Sequence, residues 1–110
     1  MRTKININGA EVFILVKFDH ITNDKPIQRE GKRPFIGRTQ CIIHIEGGSD
    51  DVRGYAHCAV GDQFNKAKGR KLALKRAIKH LGDVLGSVGM SLKKQDRAKI
   101  WECYFKNVKK

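Results

Sequence analysis

Apolar and polar residues alternate along the first half of the chain, in the pattern typical of half-buried β-strands. The segment AEVFILVKF (residues 10–18) has one fully apolar face, formed by Val12, Ile14, Val16 and Phe18. Its other face mixes apolar and charged residues, so we expect a central strand that is partly covered on both sides. The preceding segment TKINING is either a short strand or a lead-in, and it ends at an Asn-Gly turn signal.

Two further strand-like segments, RTQCIIHIE and VRGYAHCAV, are separated only by GGSDD. This spacing predicts a β-hairpin with a turn of a few residues. In each segment the smaller apolar side chains are expected to face the core. These are Cys41, Ile43 and Ile45 in the first segment, and Ala56, Cys58 and Val60 in the second.

The segment GDQFNKAKGRKLALKRAIKHLGDVL (residues 61–85) has the periodicity of an amphipathic helix. Its apolar stripe consists of Phe64, Ala67, Leu74, Ile78, Leu81 and Leu85. Asp62 predicts the N-cap. Gly69 weakens the first turns by about 1 kcal/mol relative to alanine, so we expect the regular helix to begin nearer Arg70.

Ser91 predicts the N-cap of a second helix, SLKKQDRAKIWECYFKNVKK. Its expected apolar stripe is Ala98, Trp101, Phe105 and Val108. We interpret its aromatic residues as the anchor of this helix on the sheet rather than as an interaction patch. Strands followed by helices predict an α+β fold, with an antiparallel sheet of three to four strands and two helices packed on one face.

The segment ITNDKPIQREGKRPFIG (residues 21–37) contains both prolines and shows little periodicity, which predicts a long basic loop. Two interpretations of this loop remain open. Arg29, Lys32, Arg33 and Arg38, together with Phe35, either form an arm that enters a groove or stacks on unpaired bases, or they belong to a surface loop whose charges only keep it soluble.

The chain has 110 residues, so we expect residues 1–110 to form a single domain. Its net charge is +12 and its isoelectric point about 10, which favours polyanions as partners: nucleic acid first, an acidic protein surface second, an anionic membrane third. No apolar run is long enough to span a bilayer, and the N-terminus does not resemble a secretory signal. Three irregularly spaced cysteines favour a reducing cytoplasm.

The first predicted helix concentrates positive charge on one side. Residues 63–82 contain no acidic residue, whereas an ordinary solvated helix face mixes charges of both signs. At helical spacing, four lysines share one narrow sector and two basic residues flank it: Lys68, Lys71, Lys75 and Lys79, with Lys66 and Arg76 at the sides. We therefore favour phosphate contacts over a merely solvated face.

Arg70 lies toward the apolar side of this helix if the helix is regular there. It either pairs with Asp62 or a carbonyl at the junction of strand and helix, or binds a ligand phosphate near the helix start. We favour the structural pairing. The glycine spacing does not match a phosphate-binding nucleotide loop.

The histidines and cysteines do not predict a metal site or another cofactor site. Cys41 and His44 are expected on opposite faces of a strand, and the paired cysteines of a zinc knuckle are absent. His44, Tyr55 and His57 are expected on the outer sheet face with Ile42. A half-covered face or a homodimer contact explains that grouping better than a base-stacking platform does.

No catalytic arrangement is evident, so we predict a protein that is not an enzyme. A metal-dependent nuclease would need clustered carboxylates near a lysine. The candidate carboxylates lie mostly where turns and caps commonly use acids, and they are Glu46, Asp50, Asp51 and Asp62.

Two segments of the chain resemble small phage-type hypothetical proteins. They are GYAHCAVGDQFNKAKGRKLALKRAIKHL and DRAKIWECYF. The shared pattern is G-x-A-x-C-x3-D-x-F-x-K-x2-G-R-x2-A-L-x-R-A. It is matched here by Gly54, Ala56, Cys58, Asp62, Phe64, Lys66, Gly69, Arg70, Ala73, Leu74, Arg76 and Ala77. The resemblance covers about the second half of the chain and implies a phage or prophage origin, but no activity. A looser similarity to double-stranded RNA-binding domains concerns only the basic start of the helix.

Together these observations predict a cytoplasmic, non-enzymatic nucleic-acid-binding protein of phage type. Its binding residues would be Lys66, Lys68, Arg70, Lys71, Lys75, Arg76 and Lys79, with Arg29, Lys32 and Arg33 extending the surface. The alternative is a phage inhibitor that binds a host defence nuclease or ribonucleoprotein complex, and a metal-dependent nuclease is a third hypothesis. The sequence does not distinguish DNA from RNA, single from double strands, or monomer from dimer.

Overall fold

The structure is a computed structural model that describes the backbone of residues 1–29, 32–48, 51–59 and 66–108. Side chains are described for these residues except 22–36, 59 and 108. The described residues form four strands and two helices: β1 (Arg2–Ile7), β2 (Ala10–Arg29), β3 (Lys32–Ile45), β4 (Asp51–Ala59), α1 (Lys66–Ser87) and α2 (Lys94–Val108). The strands form one antiparallel sheet in the order β1-β2-β3-β4. The predicted α+β fold class is therefore confirmed.

The turn between β1 and β2 follows from the Asn-Gly signal. Asn8 has φ 54° and Gly9 has φ 86°. Two consecutive left-handed residues match the twist of a tight hairpin, and glycine accepts this conformation without strain. The amide of Gly9 also donates a hydrogen bond to the Asn6 side chain, 3.0 Å away. Of the two alternatives for the first segment, the strand is the correct one.

The prediction of a long basic loop over residues 21–37 is wrong, because β2 and β3 continue through this region as a hairpin. Thr22 pairs with Gly37 and Arg29 with Lys32, with register shifts in between. Prolines in this segment interrupt the alternation and cannot donate to a strand ladder, so the sequence pattern hides the strands. The side chains of the predicted binding residues Arg29, Lys32 and Arg33 lie outside the described part of the chain.

The core lies between one face of the sheet and the two helices. Ile14, Val16 and Ile43 are at most 1% exposed on that sheet face, as the alternation predicts. The helix α1 adds its own buried stripe, made of Ala73, Leu74, Ala77, Ile78, Leu81 and Leu85. Ala67, which was predicted in this stripe, is exposed because it lies in the first turn, where α1 has not yet reached the centre of the sheet.

Backbone packs directly on backbone where α1 crosses β4. A side-chain carbon added to Gly54 would collide with the backbone of Ala73 and Ala77. Gly69 is similar, since an added carbon would lie 2.5 Å from the hydroxyl oxygen of buried Thr39. The two glycines therefore allow α1 to lie close to β3 and β4. The helix begins at Lys66 rather than near Arg70.

The predicted apolar stripe of α2 is displaced by one residue. The side chains that α2 and the residues before it bury are Leu92, Asp96, Ile100 and Tyr104. Ala98 is exposed, Trp101 is half-buried and Phe105 is 42% exposed. The predicted stripe did not include Asp96, which is fully buried. Its Oδ1 accepts a hydrogen bond from the Asn6 amide at 3.0 Å, which ties α2 to β1.

Neither of the helices in the described part of the chain is long and apolar enough to cross a membrane.

Candidate nucleic-acid interface

The charged side of α1 lies opposite its buried stripe. Its four lysines are exposed, and we call them the lysine row: Lys68, Lys71, Lys75 and Lys79. Successive members are three or four residues apart, which places them about one helical turn, or about 5 Å, from each other. The row therefore follows the helix axis along the outer surface of the molecule.

Most of the α1 lysines form no ion pair with a described carboxylate. Ion pairs join Arg2 to Glu46 at 2.7 Å and Lys106 to Glu102 at 3.3 Å, on the sheet and on α2. The α1 lysines without such a pair among the described residues are Lys66, Lys71, Lys75 and Lys79. The sheet and α2 thus pair some of their charges, whereas these four exposed lysines do not pair with a described carboxylate.

The start of α1 brings positive charge next to the sheet. Burial of the imidazole, followed by the charges of Arg70 and Lys66, lowers the pKa of His20 below its usual value. The Nδ1 atom of this histidine lies 2.9 Å from the hydroxyl of Thr39. The Arg70 Nε atom is buried without a hydrogen-bond partner among the described residues. Its predicted partner Asp62 lies outside the described residues, so this pairing stays a prediction.

Two residues of α1 contact the free edge of the sheet, and one of them, Arg76, was predicted at the side of the lysine row. The Arg76 guanidinium donates a hydrogen bond to the Tyr55 carbonyl at 2.6 Å. The His80 ring nitrogen lies 3.2 Å from the Arg53 carbonyl, two residues along β4. Since β4 is an edge strand, these contacts satisfy carbonyls that would otherwise be open to a second strand. Arg76 is therefore a structural residue as well as a predicted binding residue.

A groove of about 500 Å³ separates α1 from α2. It exists because α1 packs on β3 and β4 whereas α2 packs on β1, at the other end of the sheet. Its walls contain basic, acidic, apolar and glycine residues: Lys75, Ile78, Lys79, Gly82, Asp83, Gly86, Met90, Ser91, Leu92, Arg97 and Trp101. Half of the lysine row therefore borders this groove.

One aromatic ring, that of Trp101, lines the groove together with two members of the lysine row. The rings of Trp101 and Phe105 stack with centroids 5.9 Å apart and an angle of 27°. The Lys71 amine lies 5.8 Å from the centre of the Phe105 ring. Sequence reasoning assigned these rings to the core and did not consider Arg97. The exposure of Trp101 and Phe105 could have been predicted from the helical spacing of Ile100 and Tyr104. These two residues already fill the buried stripe, which leaves two large aromatic residues outside it.

The second sheet face, opposite the helices, carries the predicted group of polar and aromatic residues. Tyr55 and His57 stack with centroids 6.3 Å apart, and the Arg38 guanidinium lies 5.6 Å from the Tyr55 ring. His44 is hydrogen-bonded to Asp51 at 2.5 Å. No helix in the described part of the chain covers this face. These contacts satisfy the polar groups locally and do not indicate a ligand.

The cysteines and the candidate nuclease carboxylates do not form a reactive centre in the described part of the chain. Burial raises the pKa of the Cys41 thiol to about 12, so this side chain is a neutral core residue at physiological pH. The described residues contain no group of three potential metal ligands. Glu46 and Asp51 are paired with Arg2 and His44, and Asp50 and Asp62 lie outside the described residues.

Comparison with protein-family models, with curated proteins and with solved structures gives no match. The geometry of the chain itself is therefore the basis for any functional conclusion.

Proposed function

We propose that the protein is a non-enzymatic nucleic-acid-binding protein that contacts phosphates through α1, largely without sequence preference. The phage or prophage origin that its motif resemblance implies belongs to the same proposal. One observation carries it: the lysine row is exposed, and its members Lys71, Lys75 and Lys79 have no ion-pair partner among the described residues. Such a row repels itself, and a polyanion is the partner that removes this repulsion.

The binding mechanism follows from the placement of the charges. Each amine of the lysine row would neutralise one phosphate and release condensed counterions. Lys66 and Arg70 would extend the contact at the start of the helix, where burial and, after it, the charges of these two residues lower the pKa of His20. Arg76 keeps four of its five N–H donors after the bond to Tyr55, so it would contribute at the margin. Contacts of this type position a protein on a backbone but do not read bases.

The test reverses charge on the lysine row. In the double variant Lys71→Glu with Lys75→Glu, we expect gel-shift binding to random DNA and RNA to be abolished and the circular dichroism spectrum to be unchanged, because both side chains are exposed. The matched control is Lys17→Glu with Arg53→Glu. It changes the net charge by the same amount at exposed positions on the opposite sheet face.

The control separates a local interface from a general effect of net charge. If both double variants bind equally well, or lose binding to the same extent, α1 is not the interface. If the wild-type protein binds no nucleic acid and instead retains one host protein in a nuclease-treated pull-down, the proposal fails. That outcome would favour the inhibitor of a host defence complex.

A further inference from the structure

We propose that the groove between α1 and α2 receives an unpaired base of a single-stranded nucleic acid, which stacks on Trp101 while Lys75, Lys79 and Arg97 bind the neighbouring phosphates. This inference rests on the proposed function and specifies its substrate class. A paired base is stacked inside a duplex and cannot enter such a groove, whereas an unpaired base can turn outward.

The size and composition of the groove fit this occupant. Its volume of about 500 Å³ lies within the range of about 300–1,000 Å³ that is typical of small-molecule sites. Such sites combine an apolar surface with a few placed polar groups. Here the apolar part comes from Ile78, Leu92 and Trp101.

The charges on the groove walls select an anion. The groove is lined by three cationic side chains, those of Lys75, Lys79 and Arg97, and by one carboxylate, that of Asp83. Asp83 follows Lys79 by four residues, yet no ion pair joins them among the described residues. The groove thus combines an excess of positive charge with an aromatic ring. Proteins that bind single strands use the same combination: aromatic rings stack on bases, and a basic surface follows the backbone.

The fully buried side chains of α2 are not those of the aromatic wall, although Trp101 also packs against the core. Ile100 is fully buried and Tyr104 is 1% exposed, and these two side chains anchor the helix. Trp101 instead stays half-buried at the groove, where its ring stacks on Phe105 at 27° and meets the Tyr104 ring at 89°. A rigid, partly exposed ring of this type is a suitable stacking surface.

Glycines leave the groove open on the α1 side. A side-chain carbon added at Gly82 or Gly86 would meet no atom within 4 Å. Neither glycine is therefore required for packing, although glycine has a lower helix propensity than alanine. The absence of side chains at these two positions creates space beside Lys79, and an unpaired base would fill it.

The experiment closes the groove without removing a charge. Gly82→Leu places a side chain into the groove, and Gly82→Ala is the matched control that improves helix propensity but leaves the groove open. Three probes of about ten nucleotides are compared at one salt concentration: an oligothymidylate, an abasic oligomer of the same length and a DNA duplex. Affinities are measured by fluorescence anisotropy of the labelled probes.

We expect Gly82→Leu to weaken oligothymidylate binding about tenfold and to leave the affinities for the abasic oligomer and the duplex unchanged, because loss of one base stack affects only the first probe. Gly82→Ala should bind all three probes like the wild type. Trp101 is the only tryptophan, so its fluorescence gives an independent signal. It should be quenched by the oligothymidylate and not by the abasic oligomer.

Different outcomes of this experiment contradict the groove inference and the proposed function. If the wild type binds the abasic oligomer and the duplex, but Gly82→Leu binds oligothymidylate normally, the groove is not a base site and the phosphate-binding function stands. A loss shared equally by all three probes contradicts the groove inference in the same way. If the wild type binds none of the probes, the proposed function itself is wrong.

Discussion

Gly54 and Gly82 show how the same residue type has opposite consequences in one packed structure. At Gly54, any side chain would meet the backbone of α1, so the close approach of helix and sheet requires glycine there. At Gly82, an added carbon meets no atom within 4 Å, so packing does not require glycine there and glycine weakens the helix. Both residues lie in or beside segments with strong patterns, and the sequence alone does not distinguish them.

Alanine substitutions should therefore change stability in opposite directions. We expect Gly54→Ala to lower the free energy of unfolding by about 1–3 kcal/mol, because α1 must move away from β4. Gly82→Ala should raise it by about 0.5–1 kcal/mol through helix propensity. Urea unfolding followed by circular dichroism measures both changes. Equal effects of the two substitutions would contradict the close packing of α1 on β4.

At the scale of elements, the orientation of α2 determines which aromatic side chains reach solvent. The helix is rotated by about one residue, about 100°, from the orientation that its apolar pattern predicts. The buried hydrogen bond from Asn6 to Asp96 fixes this orientation, since it requires the acidic residue to face β1. Trp101 then lies half-buried at the groove, and Phe105 beside it is 42% exposed.

Truncation of α2 side chains tests this orientation. Ile100→Ala should destabilise the protein by about 2–5 kcal/mol, because Ile100 is fully buried. Phe105→Ala should cost less than about 1.5 kcal/mol, since that ring is 42% exposed. Thermal unfolding of both variants provides the measurement. The reverse order of stabilities would restore the stripe that the sequence predicts.

The edge of β4 depends on α1 for protection. Arg76 and His80 bond to carbonyls at alternate residues of the strand, so the helix closes an edge that a second chain would otherwise extend. The same helix thus contacts the sheet edge through Arg76 and His80, whereas its lysine row is exposed to solvent.

Loss of the Arg76 side chain should affect both stability and association. We expect Arg76→Ala to lower the free energy of unfolding by about 1 kcal/mol and to promote self-association through the uncovered edge. Lys79→Ala is the matched control on the same helix, and it should change neither property. Unfolding curves and sedimentation velocity report the two effects. An Arg76→Ala variant as stable and monomeric as the control would show that the edge contact has no structural role.

At the scale of the whole molecule, the net charge is +12, and the charged residues are distributed unevenly. Ion pairs among the described residues involve the sheet and α2, while α1 retains unpaired lysines. The salt dependence of nucleic-acid binding should therefore depend on the lysines of α1 more than on the total charge of the protein.

We expect the logarithm of the binding constant to fall linearly with the logarithm of salt concentration. Each single substitution, Lys71→Ala, Lys75→Ala or Lys79→Ala, should reduce the slope by about 0.7–0.9, the value for one lost phosphate contact. Lys17→Ala on the opposite sheet face should leave the slope unchanged. The measurement is fluorescence anisotropy over a range of salt concentrations. Slopes that are the same in all four variants would place the phosphates elsewhere.

Local patterns in the sequence determined the α+β class, the core faces of β2 and β3, the tight turn at Gly9 and the charged side of α1. Each of these depends on residues near each other along the chain, where periodicity, turn preference and charge are direct signals. The same signals failed for residues 21–37, because prolines interrupt the alternation although strand pairing continues through it.

Tertiary structure alone decided the features that depend on residues far apart in the chain. The bond between Asn6 and Asp96 joins residues 90 positions apart and rotates α2. The contact of Gly54 with Ala73 and Ala77 sets the position of α1 on the sheet. The groove follows from both, since its width depends on where two separately packed helices come to lie. Pairing and packing over such distances have no periodic signature, so the sequence could indicate a basic helix but not the aromatic wall that faces it.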